Sequence, residues 1–119
     1  MTIINARTQE QRPWGTFEVI AIDTRYKIKQ ITVRPGASLS LQRHSLRHEH
    51  WVVIDGTGRV RVGDEERFVQ PEAAVYIPAG TIHRLINDGN DDLTLIEIQT
   101  GQAFLEDDIE RLDDRYGRV

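Results

Sequence analysis

Cysteine is absent from the 119 residues, which excludes a disulfide framework and any thiolate ligand. A metal bound by this chain must be held by imidazole and oxygen. No apolar run approaches the length of a membrane span, and the N-terminus lacks the apolar core of a signal peptide, so a soluble, cytoplasmic protein without a membrane partner is expected. Positive charge is in short supply as well. Fifteen Lys and Arg against 19 Asp and Glu leave a formal charge of −4 at pH 7, the wrong sign for a nucleic-acid partner. Repeats, low-complexity stretches and linker-like segments are also missing, so a single domain over 1–119 is expected.

What is present is a series of short apolar runs separated by Gly, Pro, Asn and Asp. Strands are expected at 17–22, 26–33, 39–44, 49–54, 59–62, 67–69, 74–77, 83–86 and 93–99. Turns fall at Asp23-Thr24, Arg34-Pro35-Gly36, Asp55-Gly56 and Gly63-Asp64, with a polar loop at 87–91. Eight or nine short strands with no long amphipathic segment indicate an all-β, closed or sandwich-like antiparallel fold. The tail over 106–118 carries apolar residues at Ile109, Leu112 and Tyr116, which suits a short helix or an ordered arm. Its acidic start, Glu106-Asp107-Asp108, reads as a solvated face or a helix start.

Side chains alternate across a strand, so parity sorts the polar residues onto faces. Gln42 and His44 share a face with the small Ser38 and Ser40; Glu49 goes with Trp51 and Val53, and His83 with Leu85 and Asn87. Two imidazoles, a carboxylate and an amide oxygen make a donor set suited to a divalent ion, with Gln42, His44, Glu49 and His83 as the ligands. They lie in two segments, 36–56 and 72–87, at the spacing of successive strands in a small barrel. On a regular strand Lys29 shares the inward face of Ile31 and Val33. A bulge would turn it out, since Tyr26 and Ile28 carry apolar character on the other face. Glu97 is inward with Leu95 and Gln99. His50 and Arg84 have the opposite parity to Glu49 and His83.

The run Gly36-x5-Gln42-x-His44-x4-Glu49-x6-Gly56, followed by Pro78-x-Gly80-x2-His83-x3-Asn87, resembles the two motifs of the cupins. Finer features resemble the type II phosphomannose isomerase domain: Arg12-Pro13-Trp14-Gly15, Arg47-x-Glu49-His50-Trp51, Tyr76-Ile77-Pro78, Ile96-Glu97-Ile98-Gln99-Thr100-Gly101, and the tail from Glu106 to Arg118. Gln42 stands where most cupins have His. Ser45-Leu46, Ala103 and Leu105 also depart from the family pattern.

The resemblance implies a cupin fold, a jelly-roll antiparallel β-barrel, with its first motif over 36–56 and its second over 72–87. It further implies a metal-dependent mannose-6-phosphate isomerase, interconverting mannose 6-phosphate and fructose 6-phosphate through a cis-enediol. The guanylyltransferase half that accompanies this domain in many relatives is not in these residues, so guanylyl transfer is not expected. Zn²⁺ is the first expectation for the metal, with Mn²⁺, Co²⁺, Ca²⁺ or Fe²⁺ as alternatives. Lys29, His50 and Glu97 are the candidates for the base, and Arg47 and Arg84 for the phosphate. The expected partners are a sugar phosphate and a second copy in a homodimer. Two other functions remain open: a non-catalytic sugar-binding cupin, and a metal-dependent cupin oxygenase.

Overall fold

Strict alternation of buried and solvent-facing side chains, as in Tyr26–Val33, is what a strand lying over a core on one face requires. The computed structural model describes residues 8–118, and they form eleven strands. These are β1 (Gln9–Arg12), β2 (Gly15–Ile22), β3 (Tyr26–Val33), β4 (Leu41–Arg43), β5 (Arg47–Asp55), β6 (Gly58–Val62), β7 (Glu65–Val69), β8 (Ala74–Ile77), β9 (His83–Ile86), β10 (Leu93–Gly101) and β11 (Glu110–Asp113). They pair antiparallel in two sheets, in the orders β1-β2-β3-β10-β5-β8 and β11-β4-β9-β6-β7. From β3 to β6, and again from β7 to β11, each connection crosses between the sheets, the path of a jelly roll. The architecture is thus the expected all-β jelly roll, made of two facing sheets rather than a fully paired closed ring.

The strands beyond the expected eight or nine lie at the ends. β1 pairs with β2, and β11 pairs with β4, placing Arg111 opposite Gln42. The tail is therefore an arm and not a helix. Its 3–4 spacing of apolar residues loses to backbone pairing with β4 and to the Arg43–Glu110 ion pair (2.6 Å) across that pairing. A turn after β11 ends the arm. Asp114 accepts from the Arg118 backbone N–H and guanidinium, and these bonds hold its carboxyl down to about 2.

The space between the sheets is divided. Val33, Leu85, Leu93, Leu95, Val53 and Trp51 are almost completely buried, each side chain contributing about 1.5–3 kcal/mol of transfer free energy. Toward the other end of β3 and β10 the inward residues turn polar: Lys27, Lys29, Glu97 and Gln99. Asn87 belongs to the apolar end. Its amide donates to the Val33 and Asp91 carbonyls (both 2.8 Å) and accepts from the Gly89 N–H, so it staples the 87–91 loop.

The turn at Asp55-Gly56 is fixed by the backbone. Gly56 has φ 83°, and a Cβ there would lie 2.2 Å from the Asp92 carbonyl oxygen. Gly63 has φ 59° with open space around it. Gly63→Ala is therefore expected to cost only the left-handed backbone penalty, about 1–2 kcal/mol. Gly56→Ala must also displace the 92–93 backbone and is expected to lower the thermal midpoint clearly further. Thermal unfolding of the two variants side by side checks the order.

Candidate metal centre

Three buried side chains from three strand regions meet between the sheets. His44 follows β4, Glu49 lies within β5 and His83 opens β9. His44 Nε2 is 3.1 Å from Glu49 Oε2, and His83 Nε2 is 3.7 Å from Glu49 Oε1. One donor atom from each lies within 4.8 Å of the others, and all three residues are buried. In both histidines Nδ1 faces a backbone carbonyl, of Asp108 at 2.7 Å and of Thr81 at 2.9 Å. A carbonyl only accepts, so Nδ1 carries the proton and the lone pair sits on Nε2, aimed at Glu49.

Burial, with Arg47 adding to it, lowers the His44 pKa to about 4; burial lowers that of His83 too. Both rings are therefore neutral near pH 7. His83 Nε2 is buried without a hydrogen-bond partner. Two lone pairs and a carboxylate aimed at one point fit a divalent cation of the kind nitrogen and oxygen ligands hold.

Gln42 lies opposite His83 across β4 and β9 and lines the same cavity. Its amide nitrogen is directed at the Ser40 carbonyl (3.5 Å), leaving the oxygen, the atom a metal would use, for the cavity. Arg47 is also inside. Its Nε donates to Glu49 Oε2 (2.9 Å), Nη2 approaches His44 Nε2 (3.3 Å), and Nη1 donates to the Leu105 carbonyl (3.2 Å).

Glu97 completes the wall. Trp51 Nε1 donates to both Glu49 Oε1 (3.2 Å) and Glu97 Oε1 (3.1 Å), while Gln99 donates to Glu97 Oε2 (3.0 Å). Burial, reinforced by the Glu49 charge and hydrogen bond, pushes the Glu97 pKa up to about 7.

The other sequence candidates divide by face. β3 runs without a bulge in its burial pattern, so Lys29 is inward and lines the cavity. Its amine is held by Glu106 (2.8 and 2.9 Å) over the face of Phe17 (4.2 Å to the centroid). His50 is exposed on the opposite face of β5, its ring 4.7 Å from that of Tyr76. Arg84 is turned away from the cavity as well, donating to the Leu39 carbonyl and to the carbonyl and carboxylate of Asp113. The parity that argued against His50 and Arg84 describes both.

Several residues were missed by sequence reasoning. Lys27 has the parity of Lys29 and was legible by the same rule. Glu106 and Asp108, read as a solvated patch, are built into the site. Asp108 accepts from the Ser45 and Leu46 N–H groups (3.0 and 2.9 Å), and these outweigh burial to hold its carboxyl below its ordinary value. The segment 102–109 lies between β10 and β11 and reaches β3, the loop between β4 and β5, and the start of β5 through contacts that no local pattern announces. The resulting cavity, about 130 Å³, is lined by five cations (Arg12, Lys29, Arg47, Arg111, Arg118) and three carboxylates (Glu49, Glu97, Glu106). An acidic chain thus presents a cationic interior.

The histidine geometry leads to a test that needs no substrate. Replacing His44 or His83 by Ala is expected to weaken Zn²⁺ or Co²⁺ binding by about 100-fold or more, since even losing a group that only orients a ligand costs about 10–100-fold. His50→Ala is expected to leave it unchanged. Calorimetric titration of the metal-free chain, with the Co²⁺ visible spectrum as a check on coordination, distinguishes them.

Residues 2–114 match the family described as "Mannose-6-phosphate isomerase C-terminal". The chain is 50% identical over 108 residues to the xanthan biosynthesis protein XanB of Xanthomonas campestris, covering 91% of this chain and 23% of that protein. It is 47% identical over 108 residues to the alginate biosynthesis protein AlgA of Pseudomonas aeruginosa, covering 91% and 22%. It therefore spans less than a quarter of the length of these relatives. Among solved structures, the capsular polysaccharide assembling protein CapF of Staphylococcus aureus superposes with a TM-score of 0.80 over 93% of this chain and 34% of that one, at 22% identity, a likeness of fold. No helix among the described residues is long and apolar enough to cross a membrane. Both the sequence match and the two-sheet fold thus lead to one assignment: this chain belongs to the family of mannose-6-phosphate isomerase C-terminal cupin domains.

Proposed function

We propose that the chain is a metal-dependent isomerase that interconverts mannose 6-phosphate and fructose 6-phosphate. The observation that carries this reading is the placement of Glu97. It is a buried carboxylate in the wall of the same cavity as His44 and Glu49, joined to Glu49, the carboxylate that His83 also faces, through the single N–H of Trp51.

Aldose–ketose isomerisation needs a base that takes the proton from C2 and returns it to C1, while the hydroxyl proton passes between O2 and O1. In this reading the Glu97 carboxylate takes the C2 proton of the open-chain aldose, leaving a cis-enediol, and the carboxyl then delivers it to C1. Trp51 and Gln99 fix the carboxylate between them, so the proton acceptor is oriented before substrate arrives. His44, Glu49 and His83, with Gln42 beside them, would hold the divalent ion, Zn²⁺ first. Such an ion supplies Lewis-acid stabilisation of the charge that develops on the sugar oxygens. Arg47, buried against Glu49, adds a fixed positive charge beside the reacting oxygens. The cationic lining supports a dianionic, phosphorylated ligand over a neutral sugar. A homodimer would use one of the sheet edges, β1, β8, β7 or β11, that have no further strand among the described residues.

The reading is tested by following fructose 6-phosphate formation from mannose 6-phosphate on Zn²⁺-, Mn²⁺- and Co²⁺-loaded protein, before and after chelation. Turnover should be lost with chelator and restored by the ion. Glu97→Gln should lower kcat by about 10²–10⁴-fold, the usual worth of a positioned base, with metal content unchanged. His50→Ala should stay within about two-fold of the parent, since a ring on the outer face takes no part in acid–base chemistry inside. Sugar-phosphate binding without turnover under every ion would replace the isomerase by a binding cupin, and oxygen uptake would replace it by an oxygenase.

A further inference from the structure

The chain has two lysines, Lys27 and Lys29. Both are buried on the inner face of β3, at 7% and 6% exposure. A buried ammonium requires a counter-charge, and these two share one. Glu106 places its oxygens 2.8 and 2.9 Å from Lys29 Nζ and 3.4 Å from Lys27 Nζ. Arg12 adds a third cation, its guanidinium 4.8 Å from the centroid of the Phe17 ring on which Lys29 also rests. Glu97 lies opposite Lys29 across β10, but its two oxygens are engaged by Trp51 and Gln99. Two ammoniums therefore converge on one carboxylate, with the Arg12 guanidinium in the same cavity lining.

That carboxylate differs from its partners in being free to leave. The lysines stand on a strand paired on both sides, whereas Glu106 is carried by the segment between β10 and β11. Its side chain is 48% exposed, and Leu105 beside it is exposed too. Rotating Glu106 outward returns it to water without moving either lysine, and vacates a seat that already holds a resident anion.

We propose that Lys27 and Lys29 form the subsite for the phosphoryl group of the ligand, and that Glu106 is the internal anion that this group displaces. A phosphoryl monoester carries about −1.5 to −2 charges near neutral pH and has three acceptor oxygens. It satisfies two ammoniums and the nearby guanidinium better than one carboxylate does, and the released Glu106 is hydrated. The exchange is of ionic partners only; no bond is made or broken. The inference rests on the sugar-phosphate reading for the identity of the ligand, but not on isomerisation.

The test is calorimetric titration of the whole chain, metal-free and Zn²⁺-loaded, with inorganic phosphate, mannose 6-phosphate and unphosphorylated mannose. Glu106→Gln should bind phosphate and mannose 6-phosphate about ten-fold more tightly than the parent, which is about 1.4 kcal/mol of competition removed, with mannose unaffected. Adding Lys29→Met should abolish the gain. If Glu106→Gln does not fold, Glu106→Asp, which only retracts the carboxylate by one methylene, should give a smaller gain in the same direction. Equal phosphate affinity in the parent and in the folded Glu106 variant, or a gain that survives Lys29→Met, would overturn the proposal and leave Glu106 as a structural ion pair. Absent turnover with the phosphate gain intact removes the isomerase and keeps the subsite. Turnover without the gain does the reverse.

Discussion

The structure turns on a carboxylate that cannot stand alone. Glu49 is 2% exposed, and an ionised carboxylate taken from water loses several kcal/mol of hydration even after the protein relaxes. Arg47 and Trp51 return part of this through hydrogen bonds. The histidines do not. The Asp108 and Thr81 carbonyls fix the proton on Nδ1 of each ring, so what faces Glu49 is the lone pair of Nε2, one acceptor set against another. Only a positive charge among the three relieves that arrangement. Arg47 supplies it in part by reaching both Glu49 and His44, and a divalent ion would supply it fully. The rest of the site is a response to this demand. Glu97 lies on the far side of the same indole N–H, and its tendency to keep a proton follows from its burial and then from having Glu49 as a neighbour.

Such a polar interior needs stability from elsewhere, and the division of the inner face supplies it. Along β10, Leu93 and Leu95 bury at one end while Glu97 and Gln99 line the other. The register sets two rows across the larger sheet, Lys29–Glu97–Trp51 and Lys27–Gln99–Glu49. A slip of β10 by one residue would turn Glu97 and Gln99 to the outer face and bring Ile96 and Ile98 inward. The apolar end therefore fixes not only the fold but which polar groups meet.

The same alternation is why much of the molecule was legible in the sequence. Period-two patterning located the internal strands and separated the inward Lys29, Gln42, Glu49, His83 and Glu97 from the outward His50 and Arg84. The turns at Asp55-Gly56 and Gly63-Asp64 were readable because their glycines take positive φ. Residues tied to the site by distant contacts were not readable. β11 pairs with a strand roughly 70 positions earlier, and its apolar spacing suggested a helix equally well. Glu106 and Asp108 look like any exposed acidic run until the chain folds back over Lys29 and the 45–46 backbone, a contact that leaves no local periodicity.

That fold-back joins what would otherwise be two separate seats. The segment 102–109 gives Glu106 to Lys27 and Lys29, the Leu105 carbonyl to Arg47, and both the carbonyl and the carboxylate of Asp108 to the His44 region. Removing Glu106 from the lysines cuts one of these ties. The three hydrogen bonds at Asp108 are independent of it and are enough to keep His44 Nδ1 committed. The orientation of the metal-facing lone pair therefore survives the exchange, while the charge of the cavity does not: a phosphoryl dianion in place of a carboxylate adds roughly one negative charge. In a cavity of low effective dielectric that charge favours a cation at the His44, Glu49 and His83 cluster. Linkage is reciprocal, so a cation there must favour the anion by the same factor. On this reading the acidic run at the start of the tail is the part of the fold through which the two seats act on each other.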